Sequence, residues 1–341
     1  MKIAKQLFFA LALITPTLAS AQVELTNKVL IIGIDGVRTD ALLSASTPNI
    51  DSLWRGNAGA YRFDAKTDDV TISGPSWTTM LTGVGSAKHG VKNNNMSGGH
   101  FTNYNTNYVS FMDRLEAANP TIQTAAISQW EPTNSIFSNI DYKATGNGAS
   151  VKNQAVELLS GQNVTVSNPD AIFLHFDDVD GAGHSSGYLS QSAITAVQTI
   201  DGYIGEILAA VRSRDTYAEE NWLIMLSSDH GGNGSSHGGS TPQEKYVWLI
   251  MNGMDVVVGE MENGILTADI AATAMVHLGL DIDPSWDLDG QVRALKDNDA
   301  ARSASSLYAD GASPIPEPST YGLLAGGIIA LAAVIARRRK R

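Results

Sequence analysis

Cysteine is absent from all 341 residues. That excludes disulfides and zinc held by thiolates, so the fold must be stabilised by its core. Positive charge is scarce as well: 23 lysines and arginines face 35 acidic residues, a net charge of -12. Seven of those cations, Lys2, Lys5, Arg337, Arg338, Arg339, Lys340 and Arg341, sit in the two terminal segments. Without those segments 16 cations face 34 acids, a net charge near -18. No cationic cluster then survives to displace counterions, which excludes a nucleic-acid groove. Such acidity suits an exported soluble protein, or carboxylates partly neutralised by bound divalent cations. The chain has no internal repeat, and the roughly 290 residues between the terminal segments suffice for one large core.

The terminal segments read as addresses. Residues 1–21 combine basic Lys2 and Lys5, an apolar centre over residues 7–14 and the small-residue site Ala19-Ser20-Ala21. This is the pattern of a cleaved signal peptide, with an apolar run too short, and interrupted by Pro16, for a membrane anchor. At the other end Pro316-Glu317-Pro318 precedes the uncharged residues 321–336 and then five cations. Sixteen helical residues reach about 24 Å, short of a hydrocarbon core of about 30 Å, so snorkelling arginines or a thin bilayer must assist a transmembrane helix there. The basic end should stay inside and the large domain outside. Residues 313–341 resemble the PEP-CTERM sorting signal of Gram-negative bacteria. The resemblance implies cutting by a membrane-embedded exosortase, with the helix as a transient membrane handle and the mature chain, residues 22–312, at the cell surface or in extracellular matrix.

Between these addresses, apolar runs end in carboxylates. Residues 28–34 form a nearly continuous β-branched run, as in a strand covered on both faces, and close on Asp35-Gly36. Residues 222–225 lead into Asp229-His230-Gly231-Gly232 and on to His237, through a stretch too rich in glycine for regular structure. In open α/β sheets ligands bind at the carboxyl ends of strands, where two imidazoles and a carboxylate suit a metal better than packing. Taken alone, Asp35 would also serve as a turn residue capping the next helix. Residues 71–83 put Ser73 just ahead of a helix with Pro75 in its first turn. There the hydroxyl would lie near free backbone N–H groups and the positive end of the helix dipole, a setting that favours an oxyanion and binds phosphate. Ser73 is the natural nucleophile, with N-capping as its plain structural role.

Asp35 after a strand, Ser73 nine residues before Thr82-Gly83, His89-Gly90-Val91, Asp180-Gly181-Ala182-Gly183-His184, Asp229-His230-Gly231 and His237-Gly238 together resemble the alkaline phosphatase superfamily, and within it the phosphodiesterase/nucleotide pyrophosphatase branch. The resemblance spans roughly residues 28–290. It implies two divalent metal ions: Asp35, Asp229 and His230 would hold one, with the Ser73 oxygen beside it, and Asp180, His184 and His237 the other. Three histidines favour zinc over magnesium, while manganese or iron would tolerate the same set. Asp177 and Asp178 rank below Asp180, which alone has the family's spacing to His184. By its offset from Ser73, Asn94 matches the family asparagine that donates to a nonbridging phosphate oxygen. His175 reads as a packed strand residue, and His100 and His277 as structural or solvent-exposed.

At the nucleophile the family usually carries threonine, an aromatic, proline and asparagine, where this chain has Ser73-Gly74-Pro75-Ser76. Serine is also a nucleophile type in the superfamily. Two cations about 4 Å apart would lower the pKa of the hydroxyl, hold the phosphoryl group in line and neutralise the leaving oxygen, giving a phosphoserine that is hydrolysed with overall retention. A monoester dianion carries one more charge and commonly meets an arginine fork. No arginine neighbours Ser73, which favours a phosphodiester or pyrophosphate substrate, though Arg38 and Lys92 are within possible reach. Three alternatives stand beside this reading: a phosphomonoesterase, a sulfatase, and a non-catalytic surface or matrix protein. The sulfatase motif continues with arginine where this chain has Trp77, and an inactive descendant should have lost a ligand where all six remain.

The rest reads as scaffold. Helices are expected at residues 110–118, 151–159, 190–214 and 268–278, with a helix entrance at 46–53, and strands at 123–128, 171–176 and 246–251. The alternation implies an α/β fold: a doubly wound, mixed but mainly parallel sheet flanked by helices on both faces, alkaline phosphatase-like. Residues 130–148 lack a period and read as a cap over the site.

Overall fold

Seven consecutive residues of strand β1 (Thr26–Ile34), from Lys28 to Ile34, are buried. A strand with water on one face would alternate, so this one is covered on both. The computed structural model, which describes residues 25–296, places it inside an eight-stranded sheet. The sheet's other strands are β2 (Ala60–Lys66), β5 (Thr124–Ser128), β6 (Tyr142–Thr145), β7 (Ala171–Phe176), β8 (Glu220–Ser227), β9 (Tyr246–Gly253) and β10 (Gly259–Glu260), while β3 (Met96–Ser97) and β4 (His100–Phe101) pair separately as a hairpin. The sheet runs β10-β2-β9-β8-β1-β7-β5-β6, and β9 alone opposes the rest. The signal segment and the sorting tail lie outside the described residues.

The side-chain period of two divides the strand residues between two cores. Leu30, Ile32 and Ile34 join Ile172, Leu174, Ile224 and Leu226 under the helices Gly148–Leu159 and Gln191–Arg212. Val29 and Ile31 join Phe173, Leu223 and Met225 on the opposite face, under the helices Ser73–Thr82, Phe111–Ala118 and Asp269–His277. The doubly wound, mainly parallel α/β sheet expected from the sequence is the architecture. Among the described residues, Gln191–Arg212 is the one helix long and apolar enough to cross a membrane by length and composition, and here Val197, Ile200, Ile204 and Leu208 bury its apolar stripe in the first core.

Two segments differ from the sequence reading. Residues 130–148, expected to form a cap, contain a 3-10 turn, Glu131–Ile136, and then supply β6, which pairs with β5 and closes one edge of the sheet. Ser73 is the first residue of its helix instead of the residue ahead of it, and the N-cap is Ile72.

Candidate metal centre

Register brings the polar residues together. Ile34 of β1 pairs with Phe176 of β7, and Gly33 with Ser227 of β8, so three adjacent parallel strands end level. Asp35 follows the first. The second runs into the helix Asp178–Ser186, which carries Asp180 and His184 one turn apart. Asp229 and His230 follow the third, and β2 points the same way, so the chain leading to Ser73 leaves the same edge. The loops are stitched together: Ser228 Oγ accepts from Val37 N–H at 2.8 Å and donates to His230 O at 2.8 Å, and Gly36 N–H donates to Asp229 Oδ1 at 3.2 Å.

All six proposed ligands meet there. His230 Nε2 lies 3.4 Å from Asp35 Oδ1, 3.4 Å from Asp229 Oδ2 and 3.3 Å from Ser73 Oγ. His184 Nε2 lies 3.2 Å from Asp180 Oδ2 and 3.1 Å from His237 Nε2, and His237 Nε2 is 4.0 Å from Asp180 Oδ1. The rings of His230 and His237 stack at 4.0 Å and join the two groups. Asp35, Asp229 and His230 are buried, whereas the His184 side chain is 48% exposed, so solvent reaches the second group first.

The imidazole tautomers decide what these groups fit. His230 Nδ1 faces Gly231 O at 2.8 Å, His184 Nδ1 faces Ser235 O at 3.2 Å and His237 Nδ1 faces Thr71 O at 2.9 Å. A carbonyl only accepts, so each Nδ1 carries a proton, and the neutral tautomer consistent with that turns an Nε2 lone pair inward. Lone pairs then face one another and carboxylate oxygens with no proton between them, an arrangement that a cation resolves; this is the orientation of metal-ligating histidine. Asp35 Oδ1 and Asp229 Oδ2 are buried with no hydrogen-bond partner, which costs free energy unless something charged meets them. The donor set therefore fits divalent metal ions. His175 is the contrast. Its Nδ1 accepts from Trp130 N–H at 3.4 Å, so its Nε2 carries a proton and donates to Asp35 Oδ2 at 3.3 Å. Asp35, His175 and Asp177 lie close enough to form a ligand group, but that tautomer makes His175 a donor to Asp35 and not a ligand.

Electrostatics agree. Burial and the charge of Asp35 push Asp180 up, and the same two causes push Asp229 well above the usual carboxylate range. Burial opposes ionisation of Asp35 too, but the His175 hydrogen bond, the neighbouring His230 and the Trp77 indole outweigh it and hold this carboxyl low. Burial, then Asp35, Asp180 and Asp178, push Asp177 up to about 8. Burial and the neighbouring His230 push His237 down to about 4. A pocket crowded with carboxylates and poor in cations binds cations.

Around Ser73 the helix start offers fewer free N–H groups than the sequence leads one to expect. Gly74 N–H donates to Asn94 Oδ1 at 2.7 Å, Pro75 has none, and Ser76 N–H bonds Ile72 O at 3.0 Å. Because Gly74 N–H only donates, the amide oxygen of Asn94 is fixed on it and Asn94 Nδ2 is the end left to donate. The Ser73 hydroxyl caps no backbone group, and its partner is His230. Arg38 and Lys92 are engaged elsewhere: the guanidinium holds Asp40 and Gly232 O, and the ammonium donates to Ser86 Oγ at 3.0 Å. His89 is buried with Nε2 3.0 Å from Thr79 Oγ1, His277 is buried beneath β8, and His100 faces Ser135 O; all three stand outside the ligand groups.

Sequence reasoning missed two aromatic donors. Trp77 Nε1 donates to Asp35 Oδ2 at 2.9 Å and Tyr188 Oη to Asp180 Oδ1 at 2.6 Å. Their only trace in the sequence is the small residue each packs on. A Cβ at Gly33 would stand 2.3 Å from the Trp77 ring. Gly33→Ala is accordingly expected to cost about 1–3 kcal/mol through overpacking, read as a lower Tm of the metal-free protein.

Three comparisons bear on the chain's ancestry. The sequence profile of the type I phosphodiesterase / nucleotide pyrophosphatase family matches residues 29–249. The chain belongs to that family. A type I phosphodiesterase / nucleotide pyrophosphatase chain of this kind is 25% identical over 224 residues to ectonucleotide pyrophosphatase/phosphodiesterase family member 3 of Mus musculus, covering 60% of this chain and 24% of the relative. It is 25% identical over 248 residues to a bis(5'-adenosyl)-triphosphatase of Homo sapiens, covering 68% and 53%. It thus spans between a quarter and about half of the length of these relatives. Among solved structures, murine ectonucleotide pyrophosphatase/phosphodiesterase 5, in an inactive threonine-to-alanine form with AMP, superposes with a TM-score of 0.62 at 13% identity, covering 77% of this chain and 99% of that one. A 2-O GAG sulfatase superposes with a TM-score of 0.61 at 13% identity, covering 79% and 73%. These two share the fold. The PEP-CTERM protein-sorting motif matches residues 314–340, which implies export and exosortase processing.

Proposed function

We propose that this family member is an exported two-metal phosphohydrolase that cleaves phosphodiester or pyrophosphate bonds through a phosphoserine at Ser73. The observation that carries this is the set of inward Nε2 lone pairs and partnerless carboxylate oxygens gathered beside one hydroxyl. Asp35, Asp229 and His230 hold one ion and Asp180, His184 and His237 the other, with zinc as the ion that imidazole and carboxylate donors suit. When bound, the ions acidify the serine hydroxyl and neutralise charge on the phosphoryl oxygens. The protein's own part is orientation. The helix start presents Ser73 Oγ for in-line attack, the three Nδ1 hydrogen bonds to backbone carbonyls turn the Nε2 atoms inward, and Asn94 Nδ2 donates to a nonbridging oxygen. Attack forms the Ser73 O–P bond and expels the leaving alcohol or phosphate; water then cleaves that bond, so two inversions give retention at phosphorus.

The diester preference is supported by what surrounds Ser73. Arg38 and Lys92 are tied to other groups, and Asn94 is neutral, so among the described residues near Ser73 none of these meets the extra charge of a monoester dianion. The sulfatase reading shares the fold, but Trp77 is buried and bonded to Asp35 where that motif continues with arginine. We assign residues 1–21 to a signal peptide, 22–312 to the catalytic domain and 313–341 to the sorting tail, whose apolar residues 321–336 serve as a membrane anchor until processing. Location at the cell surface or in matrix is part of the same proposal, supported by the sorting motif over residues 314–340. The test is a comparison of kcat/KM on an aryl phosphodiester, an aryl phosphomonoester and an aryl sulfate with the metal-loaded protein. The diester is expected to lead the monoester by about tenfold or more, about 1.4 kcal/mol in transition-state binding. A faster monoester would overturn the substrate assignment, and hydrolysis of sulfate alone would overturn the phosphohydrolase.

A further inference from the structure

Asp180 is the ambiguous ligand of the pair. It lies within ligand reach of His184 and His237 on one side and of Asp35 and His230 on the other. A carboxylate free to turn would bridge both groups or chelate one ion with both oxygens. Tyr188 prevents that rotation: its hydroxyl donates to Asp180 Oδ1 at 2.6 Å, leaving Oδ2 beside His184 Nε2 at 3.2 Å. The ring that carries the hydroxyl is 1% exposed and sits between two glycines, where a Cβ on Gly183 or Gly232 would stand 2.5 or 2.3 Å from it. Its backbone N–H is tied to Gly234 O at 2.9 Å, in the loop that also carries His237. Asp35 repeats the scheme. Trp77 and His175 both spend their N–H on Oδ2, the slot for the indole is Gly33, and Oδ1 is left facing His230 without a partner.

We propose that Tyr188 and Trp77 are positioning residues, one for each ion, which occupy one oxygen of Asp180 and of Asp35 so that each carboxylate presents a single oxygen to a single metal. This rests on the two-ion reading above. Partners that orient a metal ligand in this way typically contribute about 10–100-fold in metal affinity. Their loss should therefore be local, with Tyr188 acting on the half of the centre that solvent reaches and Trp77 on the buried half.

The experiment titrates metal-depleted full-length protein with Zn2+ against a competing chromophoric chelator, for wild type, Tyr188→Phe and Trp77→Phe. Phenylalanine keeps a ring in each slot, and the metal-free Tm of each variant is recorded as the control for folding. Wild type should bind two ions. Tyr188→Phe should weaken one of them about tenfold or more and leave the other unchanged, and Trp77→Phe should weaken the other one. Equal weakening of both ions in either variant, or no change in either affinity, overturns the proposal. If Tyr188→Phe does not fold, Trp77→Phe decides alone by the same criterion. A wild type that binds fewer than two ions removes the two-ion reading as well, an outcome distinct from two ions that ignore both substitutions.

Discussion

Replacing Ser73 by alanine is expected to lower kcat on a phosphodiester by about 10³-fold or more, at least about 4 kcal/mol of transition-state stabilisation. The geometry argues for so large and so local an effect. Ser73 Oγ lies 3.3 Å from His230 Nε2, in contact with the buried ligand group, while its hydroxyl holds no backbone N–H and caps no helix. Removing it takes away the attacking atom and little else, so Zn2+ stoichiometry should stay at two and the Tm should move by no more than a few degrees. Ser73→Thr keeps a hydroxyl at the same place and should retain measurable turnover. Acid quenching during steady-state turnover should trap phosphate on the peptide containing residue 73 in wild type and not in Ser73→Ala. A Ser73→Ala protein that keeps turnover within tenfold of wild type would exclude the covalent route.

The parts of this site that could be read in the sequence are those that local chain physics dictates. Asp35 and Asp229 stand just beyond apolar runs because central parallel strands are buried on both faces, and Asp180 and His184 share a helix face because they are four residues apart. The sheet order could be read less well. β2 pairs antiparallel with β9 through an irregular register between Arg62 and Ala65, and its alternating, partly exposed residues give no continuous run to notice. β10 is two residues long. β6 hides in a stretch without period because an edge strand buries little. What no local pattern carries is who touches whom across the sheet: that Trp77 bonds Asp35 over 42 positions, that Tyr188 bonds Asp180 in the turn after its own helix, and that Asn94 takes the N–H of Gly74. The last of these also overturned a local rule. A helix start ordinarily offers free donors to phosphate, and here an asparagine side chain consumes one and turns its own amide nitrogen outward in exchange.

Removing the metal is expected to abolish turnover and to destabilise the fold by an amount that grows with pH. In the metal-free protein Asp180 and Asp229 are raised by burial and by Asp35, and Asp177 is raised to about 8 by burial and its acidic neighbours. A carboxyl raised in the folded state binds more protons folded than unfolded, between its unfolded value near 4 and its folded value, so stability falls as pH rises across that window. His237, pushed down to about 4, works in the opposite sense: the folded state holds fewer protons than the unfolded one between about 4 and 6.5, so its contribution rises with pH there and is complete above 6.5. Above pH 6.5 His237 adds no further change, whereas Asp177 still gives up its proton near 8, so the metal-free Tm should decline from pH 6.5 to 8.5. Metal reverses the repulsion, and it binds more tightly as the ligands lose their protons. At a free metal concentration of about 100 Kd each occupied site adds about 2.7 kcal/mol. For a domain of this size that is roughly 4–5 °C per site. Melting curves with and without chelator at pH 6.5, 7.5 and 8.5 should therefore diverge, with the widest gap at pH 8.5. A gap that stays constant, or a metal-free Tm that climbs with pH, would mean that these carboxyls do not crowd one another in the folded chain, and the electrostatic case for a cation site would fail with it.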